Sequence, residues 1–224
     1  MMIRTKDLFD LKESLAGDYL GEFARPWEAL SGIKEMILRL GSALGEDDYT
    51  QTQENVWVAR DAVIYPNVYI TGPCIIGHGT EVRPGAFIRG NALVGDHCVV
   101  GNSTELKNVI LFNNVQVPHY NYVGDSILGY KSHMGAGSIT SNVRGDKKPV
   151  VIHENGERIE TGLRKFGAMV GDYAEIGCNT VLNPGTIVGR NAQIYPLSCV
   201  RGSVPANHIL KNSGEVIPKK DFPD

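Results

Sequence analysis

The 224-residue chain carries 22 Lys and Arg against 25 Asp and Glu, a formal net charge of −3, and 42% of its residues are hydrophobic. That share is enough for a sizeable core and excludes disorder over the whole chain, while the interspersed charges offer no basic surface to nucleic acid and no patch to a membrane. No run approaches the roughly 18 apolar residues of a membrane span, and MMIRTKDLFDLKESL has a charge every few residues where a signal peptide needs an apolar stretch, so the cytoplasm is the expected compartment.

Residues 1–50 read as an N-terminal helical segment. From about Thr5 to Leu40, LFDLKESL and the stretch after Pro26 place Leu30, Ile33, Ile37 and Leu40 on one helical face, with Pro26 at a first turn and Gly41 as a stop. These helices are expected to cap one end of the domain built by residues 51–205.

From residue 51 to 205 a period of six dominates. Val58, Ile64, Ile70, Ile76, Val82, Ile88, Val94, Val100 and Leu106 recur every sixth position, each preceded two residues earlier by a small or modest side chain such as Ala62, Cys74, Thr80, Ala86 or Cys98. After a slip of one residue the register resumes at Leu111, Val117 and Val123, slips again to Leu128, Met134 and Thr140, and returns from Val170 to Val200. Helices want apolar residues at three and four and half-buried strands want alternation; a strict six fits neither. It fits an all-β triangular prism, in which each hexad supplies one short strand, the aliphatic residue fills the core and the small residue turns the corner. Three hexads close a coil of about 18 residues, giving about seven coils and a height of roughly 34 Å. The four cysteines, Cys74, Cys98, Cys178 and Cys199, show no CxxC spacing and read as small apolar residues of a reducing compartment.

Residues 143–165 interrupt the repeat, with E-N-G-E between two β-prone runs reading as a hairpin tip, and 206–224 form a C-terminal tail. Arg144, Lys147, Lys148, Arg158, Arg164 and Lys165 make the insertion the most basic stretch of the chain, and an insertion of this size on a regular solenoid marks a working surface.

GxGxxG, GxxxxGK[ST] and GxSxG are absent, so dinucleotide, P-loop and α/β-hydrolase readings have no anchor. The informative segment is ELKNVILFNNVQVPHYNYVGDSILGYKSHMGAGSITSN, Glu105 to Asn142. With Gly101 and Asn102 just ahead of it, the segment completes G-N-x-x-E-x-K, H-x-x-Y-x-G-D and G-A-G-x-I-T-x-N elements that resemble the acetyltransferase domain of the bifunctional N-acetylglucosamine-1-phosphate uridyltransferase/glucosamine-1-phosphate acetyltransferase family, within the hexapeptide-repeat transferase superfamily. The likeness spans roughly residues 56 to 202, and the nucleotidyltransferase domain of that family has no counterpart here. It implies a left-handed parallel β-helix, a handedness that periodicity alone does not give, and a homotrimer with sites between subunits.

The resemblance also implies roles. His119 falls on the base that deprotonates a sugar amine, Lys107 on a phosphate-binding lysine, Tyr122 on a tyrosine contacting the sugar phosphate and Asn142 on a sugar-binding asparagine. Lys147 or Lys148 matches a lysine reaching in from a neighbouring subunit. Ala136 matches the residue whose backbone N–H faces the thioester oxygen of acetyl-CoA, the co-substrate. His133, Val143 and Cys178 stand where the family has a sugar-binding Asn, a Tyr and a coenzyme-contacting Ser. A coenzyme-binding arginine near the C-terminus has only Lys211, Lys219 and Lys220 as candidates. Some hexapeptide-repeat trimers resemble γ-type carbonic anhydrases, but the His-x4-His pair of those enzymes is missing among the six histidines, and no metal is expected.

A histidine, lysine or tyrosine alone at such positions would more often be a solvated or structural residue; it is the shared spacing of Lys107, His119, Tyr122, Gly135 and Asn142 that points to a site. For the arginine, motif and geometry disagree. Arg83, in R-P-G, matches the family by motif, but 24 residues separate it from Lys107, one hexad more than a coil. Arg89 precedes Lys107 by 18 and, like it, comes directly after a core aliphatic residue, so Arg89 is the expected phosphate ligand. The expected activity is N-acetylation of an amino-sugar phosphate. The alternative is a non-catalytic trimer that binds a sugar nucleotide or scaffolds a nucleotidyltransferase.

Overall fold

A computed structural model describes residues 3–154 and 156–220. The repeat folds into a three-faced parallel β-solenoid. The first face stacks Val56–Ala59, Cys74–Ile76, Ala92–Val94, the second halves of Glu105–Leu111 and Tyr122–Leu128, then Ala168–Val170, Thr186–Val188 and Ser203–Val204, eight strands in all. The second runs from Tyr69–Ile70 and Phe87–Ile88 through the first halves of the two long strands to Ile139–Thr140, Val181–Leu182 and Cys199–Val200. The third runs from Val63–Ile64 to His208–Leu210, past residue 205, and is closed by the antiparallel Val216–Pro218 strand. The parallel pairs Cys74 with Ala92 and Ile76 with Val94 are one coil of 18 residues apart, as the hexad count requires. The sixth-position residues Ile76, Val82, Ile88, Val94, Val100 and Leu106 are fully buried, and Ile64, at the open end of the prism, is 38% exposed.

Corners need a left-handed backbone, which costs a residue with a Cβ roughly 1–2 kcal/mol and is borne best by Asn and Asp. Among the described residues sixteen non-glycine residues have positive φ and eight of them are Asn, including Asn67, Asn91, Asn108, Asn179 and Asn191.

All three departures from the hexad fall at one corner, where the second face turns into the first. An ordinary coil passes from Ile88 through Arg89, Gly90 and Asn91 to Ala92; the next two are one residue shorter here and turn through Lys107 and Asn108 to Val109, and through Gly124 and Asp125 to Ser126. Their strands Glu105–Leu111 and Tyr122–Leu128 therefore run unbroken round the contracted corner. In the subsequent coil the insertion leaves this corner after Asn142 and returns at Phe166, whose N–H donates to the Asn142 carbonyl at 2.9 Å. The antiparallel pair Val151–Glu154 and Glu157–Glu160 forms the expected hairpin arms; Asn155, in the expected tip, lies outside the described residues.

The N-terminal helices do not cap an end. They lie along the first face. The Ile33–Ala43 helix packs on the Cys74–Ile76, Ala92–Val94 and Glu105–Leu111 strands. Phe9 sits 5.1 Å from Phe112 and Trp27 6.0 Å from Phe166 between ring centroids. Asp172, almost fully buried, accepts the Asp10 N–H at 2.7 Å and pairs with Arg190 at 2.9 Å. The reason is in the outward position of the hexad. On the first face it is occupied by Trp57, Ile75, Leu93, Ile110, Ile127, Met169 and Ile187, none more than 9% exposed. Burying each such side chain is worth about 1.5–3 kcal/mol, so the stripe demands a cover along its whole length. Among the described residues no helix is long and apolar enough to cross a membrane.

Candidate active site

The second face is bordered by two corners, and the expected site residues divide between them. At the edge shared with the third face, His119, Ala136 and Cys178 stack in successive coils. Gly137 N–H donates to the His119 carbonyl at 3.0 Å, and Asn179 N–H to the Ala136 carbonyl at 2.9 Å. The stack is tight because glycine is used where coils touch: a Cβ at Gly101 would collide with the Pro118 carbonyl below His119, and one at Gly135 would press within 2.7 Å of the Cys178 nitrogen. His119 is exposed, and among the described residues its imidazole has no hydrogen-bond partner; nor has the Ala136 N–H. A free imidazole beside a free backbone donor can take a proton and hold an oxyanion.

The contracted corner gathers the rest. Leu106 pairs with Ile88 on one side and Val123 on the other, so Arg89 and Lys107 leave the prism at equivalent positions in adjacent coils. Arg83 comes directly after Val82, which pairs with Val100 on the third face; it emerges at the opposite edge and donates to Glu81 at 3.0 Å. Lys107 Nζ lies 3.1 and 3.4 Å from the carboxylate oxygens of Asp125, which also accepts from Asn108 Nδ2 at 3.0 Å and Asn142 Nδ2 at 2.6 Å. Asn142 Nδ2 donates as well to the Tyr122 hydroxyl at 3.2 Å. Burial, together with the negative charges of Asp125 and Glu105, raises the Tyr122 pKa above its ordinary 10, so its proton stays on at neutral pH. Arg89 pairs with Glu105 at 2.6 Å and lies 5.8 Å over the Phe87 ring.

Other expected residues stand apart. His133 is on the third face, paired with Glu175 at 2.8 Å, and does not reach the second face of its own chain. Lys147 and Lys148 are exposed in the insertion. Lys211 pairs with Glu215 and Lys219 with Asn191 near the closing hairpin. Cys178 and Cys199 are exposed rather than core residues; Cys74 and Cys98 are buried, and burial pushes both thiols far above their ordinary value, that of Cys98 to about 12, which keeps them protonated.

Sequence reading left Asp125, Glu105, Asn108 and Arg201 without a role. Arg201 comes after Val200 as Lys107 comes after Leu106 and borders an open groove of about 610 Å³ with Ser141, Arg144 and Asn183. A count of polar residues at coil spacing would have found the cluster, since Asp125 is 18 residues from Lys107 and 17 from both Asn108 and Asn142.

Residues 70–156 match the family described as the GMPPB C-terminal domain. The bifunctional protein GlmU of Methanococcus aeolicus is 32% identical over 95% of this chain and 58% of its own length. That of Methanococcus maripaludis is 36% identical over 90% of the chain and 49% of its own. The chain belongs to the family of these bifunctional GlmU proteins. It spans about half the length of the curated relatives it matches. Among solved structures, the acetyltransferase domain of PglB from Neisseria gonorrhoeae, determined with acetyl coenzyme A, overlays 73% of this chain and 57% of that one with 16% identity and a TM-score of 0.40.

Proposed function

We propose that this protein transfers an acetyl group from acetyl-CoA to the amine of an amino-sugar phosphate, in clefts between the prisms of a homotrimer. The observation that carries the reading is the second face itself: a free imidazole and a free backbone N–H along one edge, an array of donors for an anion along the other. In this mechanism the amine nitrogen attacks the thioester carbon, the coenzyme thiolate leaves, and His119 takes the amine proton. The Ala136 N–H receives the carbonyl oxygen as its charge develops. Arg89, Lys107 and the Tyr122 hydroxyl hold the phosphate, and Cys178, one coil beyond Ala136, borders the coenzyme. Arg83 emerges on the edge of His119 and has no part in gripping the phosphate.

The trimer completes the site. The first face is sealed by helices, which leaves the other two for neighbours; Tyr69, at 64% exposure, and Phe87, at 39%, stand out on the second. His133 on the third face and Lys147 or Lys148 on the insertion reach a site only on a neighbouring copy. Sedimentation at micromolar concentration should give three times the mass of one chain, and an active monomer would refute this arrangement. Incubating the purified protein with acetyl-CoA, a thiol reagent and a panel of amino-sugar phosphates tests the chemistry through release of free coenzyme thiol. A second reading rests on the pairing of Lys107 and Arg89 with carboxylates, which leaves the patch without net charge: a non-catalytic trimer that binds a sugar nucleotide or scaffolds an enzyme. Silence across the panel favours it.

A further inference from the structure

The contracted corner contains a carboxylate that no step of the transfer uses. Asp125 is 4% exposed and held in the left-handed backbone region at φ 48°. Its Oδ1 accepts from Lys107 and Asn108, and its Oδ2 from Asn142. Asn108 is fixed from outside the prism, because its second amide proton goes to the Leu30 carbonyl of the helical segment at 3.2 Å.

The number of protons on each group sets the polarity of these hydrogen bonds. A side-chain amide nitrogen has two, and both of those on Asn142 are committed, one to Asp125 and one to the Tyr122 oxygen. The atom of Asn142 left for a ligand is therefore its carbonyl oxygen, an acceptor. Tyr122 accepts from Asn142, so its own proton is free to be donated. Lys107 faces both Asp125 oxygens, at 3.1 and 3.4 Å, which leaves at least one of its three protons for a ligand.

We propose that Asp125 is the positioning residue that sets the polarity of the acceptor pocket, so that Lys107 and Tyr122 present protons to an anionic group while Asn142 presents an oxygen to a hydroxyl or amine of the same ligand. This rests on the acetyl-transfer reading for the identity of the ligand. The pocket thus selects for a ligand that carries both an anion and a neighbouring donor. A carboxylate is required at position 125 because each of its oxygens must accept; an amide there would offer a proton to Asn142 and turn its side chain round.

The test is D125N, which keeps size and shape, alongside D125A. With glucosamine-1-phosphate and acetyl-CoA, D125N should raise the acceptor KM by roughly tenfold or more, the scale of losing a charge-assisted hydrogen bond, and leave the acetyl-CoA KM within about twofold. It should also lose discrimination between glucosamine-1-phosphate and a set of analogues each lacking one ring hydroxyl. Thermal melting shows whether the variants fold. A folded D125N with an unchanged acceptor KM would overturn the proposal. Exchange of the Asn142 side-chain amide protons, read by NMR on protein carrying ¹⁵N-asparagine, decides the matter even if the wild type does not turn over. Slow exchange in the wild type that becomes fast in D125N supports the hub, and equally fast exchange in both overturns it, whereas a silent wild type refutes only the activity.

Discussion

Phe87 and Leu93 occupy the same position of consecutive hexads, one before a core residue of the second face and the other before a core residue of the first. Phe87 is 39% exposed and Leu93 fully buried. Nothing in the hexad distinguishes them; the difference is what lies outside. The helical segment covers the first face, so its outward side chains belong to the chain's own core, and the second face is left open for another molecule. A solenoid can assign its faces this way because each is a separate column of side chains, free to vary while the interior repeat stays fixed.

The comparison breaks most sharply if a charge is placed at each of these two positions. Leu93→Asp buries an unpaired carboxylate beneath the helices, a penalty beyond what most domains withstand, and should leave no cooperatively folded protein by circular dichroism. Phe87→Asp should fold, with chain stability changed by less than about 1 kcal/mol in urea at fixed protein concentration. A folded Leu93→Asp variant would mean that the helices do not stay on the first face. A milder form of the same contrast is Ile110→Ala, expected to cost about 2–5 kcal/mol.

Next in size is chemistry on the open face. His119→Ala should lower turnover by roughly 10²-fold or more, with unchanged thermal melting, because among the described residues the imidazole makes no hydrogen bond and its removal would take away only the proposed general base. Undiminished turnover would remove His119 from the mechanism. Smaller again is the contrast of the two arginines. Arg89→Ala should weaken binding of a phosphorylated acceptor by roughly tenfold, measured calorimetrically, and Arg83→Ala by less than about twofold, since only Arg89 shares an edge with Lys107.

How legible this was depended on which period carried the information. The six-residue period holds the core, the corners and the coil, because each aliphatic residue reports its own position without reference to others. The eighteen-residue count separated Arg89 from Arg83 for the same reason. The place of the helices is written at the longer period too, in Trp57, Ile75, Leu93, Ile110 and Ile127, but it emerges only when one outward position is traced coil by coil. Reading the helical segment by its own amphipathicity found a buried face and not the surface that buries it. The slips after Leu106 and Val123 and the break after Asn142 looked like three irregularities; folding shows them at a single corner, together with the polar cluster. Asp125 stayed hidden because its partners are a coil away on either side, and a carboxylate at a corner reads locally as no more than a residue tolerant of positive φ.

That corner yields the smallest effect and the one that best separates scaffold from working surface within the insertion. Its base is anchored: Val150 and Ile152 are buried against the position of Gly185, and Phe166 stacks on Trp27. Further out, Arg158 and Glu160 pair with each other while their side chains stay 64% and 67% exposed, which adds little stability and cancels charge, and Arg144 is likewise paired with Asp146. Among the described residues, the cations of the insertion without an ion-pair partner are Lys147, Lys148, Arg164 and Lys165, nearer its base than its tip. Replacing residues 153–161 by a short glycine linker should therefore leave urea stability within about 1 kcal/mol, whereas Ile152→Ala should cost about 2–4 kcal/mol. The linker variant should also bind a phosphorylated acceptor nearly as well as the wild type, and Lys147→Ala with Lys148→Ala should weaken that binding about two- to fivefold, more at low salt than at high. Equal affinity in the lysine variant at low salt would make the insertion a brace for the corner and leave the anion to Arg89, Lys107 and Tyr122 alone.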